Sequence, residues 1–328
     1  MYETFYGLHA KPFQLRPDPN FFYGSKGHKR AMSYLEYGLS QGEGFIVITG
    51  EVGAGKTTLV RNLFRKLETN RIIAAQIVNT HLNSDDTLRS VVAAFGLPFD
   101  DPSKTGLLAR LEQFLRYSDK QGKRVLLVVD EAQNLTPQTV EELRMLSNFQ
   151  TNEKSLLQTF LLGQPEFRRT LHSEGMQQLR QRVIATYHLG PMDAAETQLY
   201  IEHRLQTAGW KGDPVITPEA YAAIFEYSGG IPRKINTLCD RLFLMGYLEE
   251  LHEFGDVEVR EVIKDIQEEF TAPPPEAGAM PAYKGIPNGF SDTAAESLEH
   301  LDERLSKIER SVTSVLDVLK RLISTSKI

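Results

Sequence analysis

Short aliphatic runs alternate with longer amphipathic stretches over residues 1–192 of the chain. This alternation is typical of parallel β-strands joined by helices, and it predicts an α/β fold with a parallel sheet. Five runs have the length and the β-branched or aliphatic character of buried strands. They are residues 45–49, 72–78, 125–129, 159–162 and 184–189.

The hydrophobic pattern changes after residue 192. From Asp193 to Phe270 the apolar residues recur at helical spacing and no strand-like run is present, which predicts a small helical domain. The expected division is therefore an α/β domain at residues 1–192 and a helical domain at residues 193–270.

Two further segments are predicted after the helical domain. Residues 271–292 are rich in proline and glycine and can bury too little apolar surface to become ordered, which indicates a flexible linker. In residues 293–328 the apolar positions alternate three and four residues apart, which predicts a coiled-coil helix. The seam consists of Leu298, Leu301, Leu305, Ile308, Val312, Val315, Leu319 and Leu322.

The coiled coil favours self-association. Arg304 and Glu309 have the spacing of an interchain pair in a parallel coiled coil, and the seam residues favour more than two strands. We therefore expect a homo-oligomer. Two alternatives are that the helix packs on its own globular domain, or that it lies on a membrane surface.

Charge and composition narrow the class of protein. The chain has 37 Lys and Arg against 43 Asp and Glu, a formal net charge of −6, so it carries no strong nucleic-acid signal. The single cysteine, Cys239, excludes an intramolecular disulfide. No aliphatic run approaches the ~20 residues that cross a bilayer, and the first residues do not have the pattern of a signal peptide. We expect a cytoplasmic protein that a partner could hold peripherally at an inner membrane.

A complete phosphate-loop motif, G-x-x-x-x-G-K-[ST], lies between the first predicted strand and a helical stretch. Its glycines allow successive backbone N–H groups to converge on phosphate oxygens at the positive end of the helix. Lys56 is expected to contact the β- and γ-phosphates of ATP, and Thr57 to ligate Mg²⁺. The alternative is an ordinary glycine turn. The predicted binding residues are Gly50, Glu51, Val52, Gly53, Ala54, Gly55, Lys56, Thr57 and Thr58.

Polar residues follow two of the other predicted strands. The strand at 125–129 ends in Asp130 and Glu131. We expect Asp130 to hold Mg²⁺, directly or through water, and Glu131 to orient and polarise the attacking water. Gln164, after the strand at 159–162, is a candidate sensor of the γ-phosphate. The alternative for these residues is a set of solvated polar side chains at strand ends.

The order of these parts, continued by Leu179–Val183 and Gly229–Asn236, is similar to that of AAA+ ATPases. Residues 1–270 resemble more specifically the ExeA/GspA family of secretion-associated ATPases. Within that family they look most like the subfamily associated with exosortase (XrtA/PEP-CTERM) and exopolysaccharide loci. The residues that carry the likeness are Pro12–Phe13, Pro17–Tyr23, Tyr37–Leu39, Gly42–Phe45, Thr49–Thr58, Asp130–Gln133 and Gly163–Glu166.

The resemblance implies roles for residues that the local pattern leaves undecided. Arg182 matches the arginine finger that reaches the nucleotide of a neighbouring subunit, with Arg180 as the second choice. Arg233 matches the sensor 2 arginine, and the helical domain that carries it matches the lid of these ATPases. Tyr23 and His28 match residues of the adenine pocket.

Members of that family commonly continue into a transmembrane helix and a peptidoglycan-binding domain. This chain has the proline-rich segment and the predicted coiled coil at that position, so direct peptidoglycan binding is not expected.

The expected function is ATP hydrolysis that drives or regulates the assembly of a bacterial envelope system. Exopolysaccharide export, exosortase-linked protein sorting and secretion are the processes that the resemblance implies. Two alternatives belong to other classes. One is a DNA-associated regulator of the transposition or initiator type, and the other is a nucleotide-gated scaffold with little turnover.

Overall fold

A computed structural model of the chain describes residues 1–68, 70–78, 84–101, 103–152 and 154–271. The chain divides into two units, Met1–Thr271 and Ala272–Ile328. The predicted coiled coil and the predicted linker after Thr271 lie outside the described residues. Thr271 itself is the last residue of a helix.

The described residues of the first unit contain a five-stranded parallel sheet. Each strand contains or overlaps one of the five predicted runs, so the predicted parallel α/β sheet is confirmed. The spatial order is β2-β3-β4-β1-β5. The strands are β1 (Phe45–Gly50), β2 (Ile72–Ile77), β3 (Arg124–Val129), β4 (Leu157–Gly163) and β5 (Val183–Leu189).

Among the described residues, eight α-helices lie before β5 in the sequence. They are α1 (Tyr2–Phe5), α2 (Lys26–Gln41), α3 (Lys56–Lys66), α4 (Ser84–Ala94), α5 (Lys104–Lys120), α6 (Pro137–Leu146), α7 (Glu166–His172) and α8 (Gln177–Arg180). Four more follow: α9 (Ala194–Thr207), α10 (Pro218–Ser228), α11 (Pro232–Leu248) and α12 (Asp256–Thr271). Among the described helices, none has both the length and the apolar character that a membrane span requires.

Alternate residues of the central strands enter two different cores. Val47 and Leu127 pack under α4 to α7, whereas Ile48 and Val128 pack under α2 and α3 on the opposite face. Because side chains alternate across a strand, a sheet that is covered on both faces needs continuous apolar runs. This is the pattern that made β1 and β3 recognisable in the sequence.

The pairing of the strands brings the chemically interesting residues to one edge. β4 lies between β3 and β1, with Val129 beside Leu161 and Gly163 beside Thr49. The carboxyl ends of β3, β4 and β1 are therefore neighbours. The loops that follow these three strands meet at that edge, where open parallel sheets bind ligands.

The helices α9 to α12 form a third core together with the start of the chain. Tyr2, Tyr6 and Phe13 are buried there, and their rings lie 5.4–5.8 Å from the ring of Phe243 on α11. Residues 1–271 form one compact unit, and the division at residues 192 and 193 stays a prediction.

The region after residue 192 also contains two very short strands, β6 (Val215–Ile216) and β7 (Glu253–Phe254), which pair in parallel. The expectation that this region has no strand is therefore wrong in detail. Two residues are too few to produce an alternating hydrophobic pattern, so no periodic signal marks this pair of strands.

Removal of the Phe243 ring tests the third core. Phe243 is fully buried, and Phe243→Ala is expected to lower the free energy of unfolding by about 3–5 kcal/mol because it leaves a cavity. Leu248→Ala on the same helix is the matched control: Leu248 is 70% exposed, so a change within about 0.5 kcal/mol is expected. Urea denaturation measures the free energy of unfolding of the two variants and the wild type. Equal stability losses in the two variants would contradict this description of the core.

Candidate functional site

The loop between β1 and α3 adopts a conformation that only glycine accepts readily. Gly53 and Gly55 have φ angles of +81° and +97°. A Cβ on Gly53 would lie 2.3 Å from Cβ of Arg233, and a Cβ on Gly55 would lie 2.7 Å from Nε2 of His28. The loop is thus held between α2 and α11, and both glycines are required by conformation and by space.

The loop ends at the start of α3 without the side-chain cap that five of the other described helices have. In α2, α5, α6, α9 and α10 an N-cap side chain accepts a hydrogen bond from the first turn. The N-cap of α3 is Gly55, and no side chain among the described residues caps it. Its first N–H groups and the positive end of the helix dipole therefore suit an anion such as a phosphate.

Lys56 lies within this loop. Its ammonium donates hydrogen bonds to the backbone carbonyls of Gly50 at 2.6 Å and Glu51 at 2.9 Å, and only 7% of the residue is exposed. Burial is the main cause that lowers the pKa of Lys56, opposed by the nearby carboxylates of Glu131 and Asp130. The structure therefore holds a positive charge beside the uncapped helix.

Asp130, directly after β3, faces the first turn of α3. Thr57 Oγ1 donates a hydrogen bond of 2.9 Å to Asp130 Oδ2, and the backbone N–H of Glu131 donates one of 3.0 Å to Asp130 Oδ1. Gln76 Nε2 on β2 lies 3.4 Å from the same Oδ2 atom. Burial raises the pKa of Asp130.

The Thr57–Asp130 pair fits a magnesium ion that is shared with phosphates. Mg²⁺ is usually held by one or two protein oxygen ligands together with waters and substrate phosphates. A hydroxyl and a carboxylate oxygen 2.9 Å apart at the loop match that requirement. Among the described residues there is no cluster of three or more His, Cys, Asp or Glu that could hold a metal without such help.

Glu131 adopts a left-handed backbone conformation with φ of +53°, and side-chain amides surround its carboxylate. Gln133 Nε2 donates a hydrogen bond of 2.6 Å to Glu131 Oε2, and Gln164 Nε2 lies 3.4 Å from the same oxygen. The backbone N–H of Gln164 donates a hydrogen bond of 2.9 Å to Gln133 Oε1. Gln133 thereby joins the residue after β4 to the acid after β3.

The role of Gln133 was not anticipated from its chemistry. It entered the sequence analysis only as the last letter of the Asp130–Gln133 motif. The bridge depends on the pairing of β3 with β4, which a one-dimensional pattern does not show.

The three arginines lie in different places. Arg233 is the second residue of α11. Its backbone N–H donates a 3.2 Å hydrogen bond to the carbonyl of Gly53, and its exposed side chain lines the cleft beside the loop. Arg182 donates 2.6 Å hydrogen bonds to Ser147 Oγ and Asn148 Oδ1 beyond the end of α6. Arg180 donates to backbone carbonyls of the α7 region. Among the described residues, the lining of the cleft includes Arg233 but neither Arg182 nor Arg180.

His28 is packed behind the loop, with 6% of the residue exposed. Its Nε2 lies 3.1 Å from the carbonyl oxygen of Ala54, and its Nδ1 lies 2.7 Å from Ser25 Oγ. A carbonyl can only accept, so Nε2 carries the proton and Nδ1 accepts from the serine hydroxyl. Burial lowers the pKa of His28, which keeps the ring neutral.

Tyr23 and His28 both line the cleft, as do residues that the sequence analysis did not single out individually. The ring of Tyr23 lies 6.0 Å from that of Tyr200 and 5.7 Å from that of His203, both on α9. The unanticipated lining residues include Gln14–Asp18, Tyr200, Arg204 and Asn236.

Comparisons with known proteins agree with this geometry. A family model described as "AAA domain" matches residues 39–171. General secretion pathway protein A of Aeromonas hydrophila is 42% identical over 260 residues. The aligned region covers 78% of this chain and 47% of that protein, so the chain spans about half the length of this relative.

Solved structures resemble a large share of the chain at low sequence identity. A Cdc6 protein from Pyrobaculum aerophilum has a TM-score of 0.61 at 16% identity and covers 80% of this chain and 74% of its own. An ORC2 protein from Aeropyrum pernix, solved as ADPNP–ADP complexes, has a TM-score of 0.59 at 16% identity, with coverages of 78% and 71%. The RuvB branch-migration motor of Thermotoga maritima has a TM-score of 0.52 at 20% identity, with coverages of 74% and 70%.

These similarities confirm the predicted P-loop AAA fold. They also confirm the resemblance to AAA ATPases of the ExeA/GspA type, whereas the likeness to the XrtA/PEP-CTERM subfamily stays a prediction. The structural neighbours, at 16–20% identity, show the fold alone.

The contact between His28 and the loop predicts a dependence of stability on pH. The folded chain disfavours the charged ring, so the unfolded chain binds more protons as the pH falls through the ordinary histidine value of about 6.5. The free energy of unfolding is therefore expected to fall between about pH 7.5 and about pH 5.5. His28→Gln should make that fall smaller, because glutamine can donate to Ala54 without titrating.

His172→Gln is the matched control, since His172 is exposed at the end of α7. Denaturant unfolding at each pH measures the free energy of unfolding of the wild type, His28→Gln and His172→Gln. His203 also has a pKa lowered by burial, so some of the dependence should persist in His28→Gln. An unchanged pH dependence in His28→Gln would contradict the assignment.

Proposed function

We propose that this chain is an AAA+ ATPase that hydrolyses ATP with the help of Mg²⁺. The observation that carries the proposal is the meeting of three strand ends around the phosphate loop. Lys56 and Thr57 follow β1, Asp130 and Glu131 follow β3, and Gln164 follows β4.

The phosphate loop binds the phosphates of ATP. Backbone N–H groups between Gly50 and Thr58 donate to the phosphate oxygens, and Lys56 neutralises the β- and γ-phosphates. Thr57 and Asp130 hold Mg²⁺, which when bound supplies further positive charge against the phosphate oxygens.

Glu131 acts on the attacking water. Its carboxylate accepts a proton from the water while the water oxygen bonds to the γ-phosphorus and the bond to the β-phosphate oxygen breaks, which releases ADP and phosphate. Gln133 holds the carboxylate in position, and Gln164 links that position to the γ-phosphate. This assignment is supported by the 2.6 Å and 3.4 Å distances from the two amides to Glu131 Oε2.

Two arginines complete the site from different directions. Arg233 contacts the phosphates from the helical part, residues 193–270, which acts as a lid in the same subunit. Arg182 reaches the nucleotide of a neighbouring subunit, with Arg180 as the second choice. Support for an action between subunits comes from the position of Arg182 beyond α6, outside the cleft lining of its own chain.

The biological role that we propose is the driving or regulation of a bacterial envelope system. Support comes from the 42% identity to a general secretion pathway protein. Exopolysaccharide export or exosortase-linked sorting of the XrtA/PEP-CTERM type is the finer proposal, which rests on the motifs of the amino-terminal block. The protein would work in the cytoplasm as a homo-oligomer and be held at the inner membrane only through a partner.

The DNA-associated alternative has less support. Structural likeness to RuvB and to initiator proteins at 16–20% identity carries only the fold, and the net charge of −6 gives no general attraction to a polyanion. The nucleotide-gated scaffold differs from the ATPase in turnover, so the next experiments separate the two.

Glu131→Gln tests hydrolysis directly. The amide keeps an oxygen for Gln133 and Gln164 but cannot take a proton, so ATP turnover should fall about 100-fold or more while ATP affinity changes little. Phosphate release and calorimetric binding measure the two quantities. Full turnover in this variant would refute the role of Glu131, and negligible turnover in the wild type would favour the scaffold.

A mixing experiment tests the action of Arg182 between subunits. Arg182→Ala alone should lose most turnover. An equimolar mixture of Arg182→Ala and Glu131→Gln should regain part of the wild-type rate, because some shared sites then contain an intact Glu131 and an intact Arg182. Arg180→Ala tests the second choice and should keep most of the turnover when Arg182 is the residue that reaches the neighbour. No gain of activity on mixing would argue against a site completed by the neighbour.

Gln133→Ala tests the positioning of Glu131. The turnover number should fall while ATP affinity stays near the wild-type value, because Gln133 contacts the acid and not the phosphate loop. Gln138→Ala, at an exposed position on α6, is the control and should behave as the wild type. Loss of ATP affinity without loss of turnover at saturating ATP would contradict this role.

A further inference from the structure

A series of buried, hydrogen-bonded polar side chains connects α9 with α11 at the cleft. Arg204 Nη1 donates a hydrogen bond of 3.0 Å to the hydroxyl of Tyr200, and that hydroxyl lies 2.8 Å from Asn236 Oδ1. All three residues are more than nine-tenths buried and line the cleft.

The chemistry of these three side chains fixes the direction of each hydrogen bond. A guanidinium only donates, so the oxygen of Tyr200 accepts from Arg204. Burial raises the pKa of Tyr200, so the phenol keeps its proton, and that proton is donated to Asn236 Oδ1. The amide of Asn236 is therefore oriented with its oxygen toward Tyr200 and its nitrogen toward another partner.

No residue that the structure describes supplies that partner. Asn236 Nδ2 makes no hydrogen bond within the described part of the chain, and it is accessible from the cleft and not sealed in the core. A donor whose orientation is fixed and whose side chain is 7% exposed is costly unless a ligand satisfies it.

The position of Asn236 indicates which part of a ligand it faces. Arg233, whose N–H contacts Gly53 of the phosphate loop, is three residues earlier on the same helix. Asn236 is thus about 4.5 Å farther along the axis of α11. It shares the cleft with Gln14–Asp18, and Arg204 donates hydrogen bonds to the backbone carbonyls of Gln14 and of the nearby Pro12.

We propose that Asn236 is a nucleotide-binding residue whose Nδ2 donates a hydrogen bond to an acceptor on the nucleoside part of ATP, either an adenine ring nitrogen or a ribose oxygen. Tyr200 and Arg204 are its positioning residues. This inference rests on the proposed ATPase function, because it assumes that the loop binds the phosphates of the same ligand.

The test compares ATP with inorganic tripolyphosphate, which has the phosphates but no nucleoside. Calorimetry on the full chain measures both affinities. Asn236→Asp keeps an oxygen for Tyr200 but removes the donor, and Asn236→Ala removes the donor without adding charge. Both variants should bind ATP about tenfold more weakly. Asn236→Ala should bind tripolyphosphate with the wild-type affinity.

Lys234→Gln, an exposed position on α11, is the matched control and should leave both affinities unchanged. Thermal unfolding checks that the variants are folded. ATP affinity within about twofold of the wild type in both Asn236 variants would overturn the inference, since that is less than the effect of one hydrogen bond. Equal losses of ATP and tripolyphosphate binding in Asn236→Ala would overturn it too.

ATP analogues then distinguish the two acceptors. The series is 2′-deoxy-ATP, 3′-deoxy-ATP and deaza-ATPs that each lack one ring nitrogen. The analogue whose affinity is the same for the wild type and Asn236→Ala lacks the acceptor, and one such analogue would support the inference. If Asn236→Ala bound every analogue more weakly than the wild type by the same factor, the inference would be refuted.

The same measurements separate this inference from the proposed function. A wild-type chain that binds no ATP overturns both. A wild-type chain that binds ATP, together with Asn236 variants that bind it equally well, overturns only the role of Asn236.

Discussion

The site depends on one constraint, the close contact of the phosphate loop with helices on two sides. Gly53 and Gly55 lie in left-handed conformations, with Arg233 against one and His28 against the other. The hydrogen bond from His28 to Ala54 and that from Arg233 to Gly53 hold the loop from α2 and from α11. The backbone of the loop is therefore coupled directly to the helical part through α11.

Around that loop, neutral amides organise the charged groups. Gln133 and Gln164 contact the carboxylate of Glu131, and Gln76 contacts that of Asp130. Amide donors hold a carboxylate in one orientation and leave its charge in place. A lysine or an arginine in the same position would neutralise that charge. The arrangement defines the position of the Glu131 carboxylate and leaves its negative charge in place.

Sequence reasoning located the sheet and the charged residues of the site because these depend on short segments. A buried strand such as β1 has a continuous apolar run, and Lys56, Thr57, Asp130 and Glu131 follow such runs directly. Gln133, Tyr200 and Asn236 could not be assigned in this way. Their roles depend on which strands pair and on how α9 and α11 pack, and an isolated glutamine or asparagine has no local signature.

The burial of the first residues in the helical core has a consequence for synthesis. Tyr2 donates a hydrogen bond from its hydroxyl to Asp240, 238 residues later in the chain, so this contact forms only after α11 has been made. The sheet, complete at Leu189, can form beforehand from its own strands. The cleft has walls from both parts, so it is complete only after α11 has left the ribosome and packed.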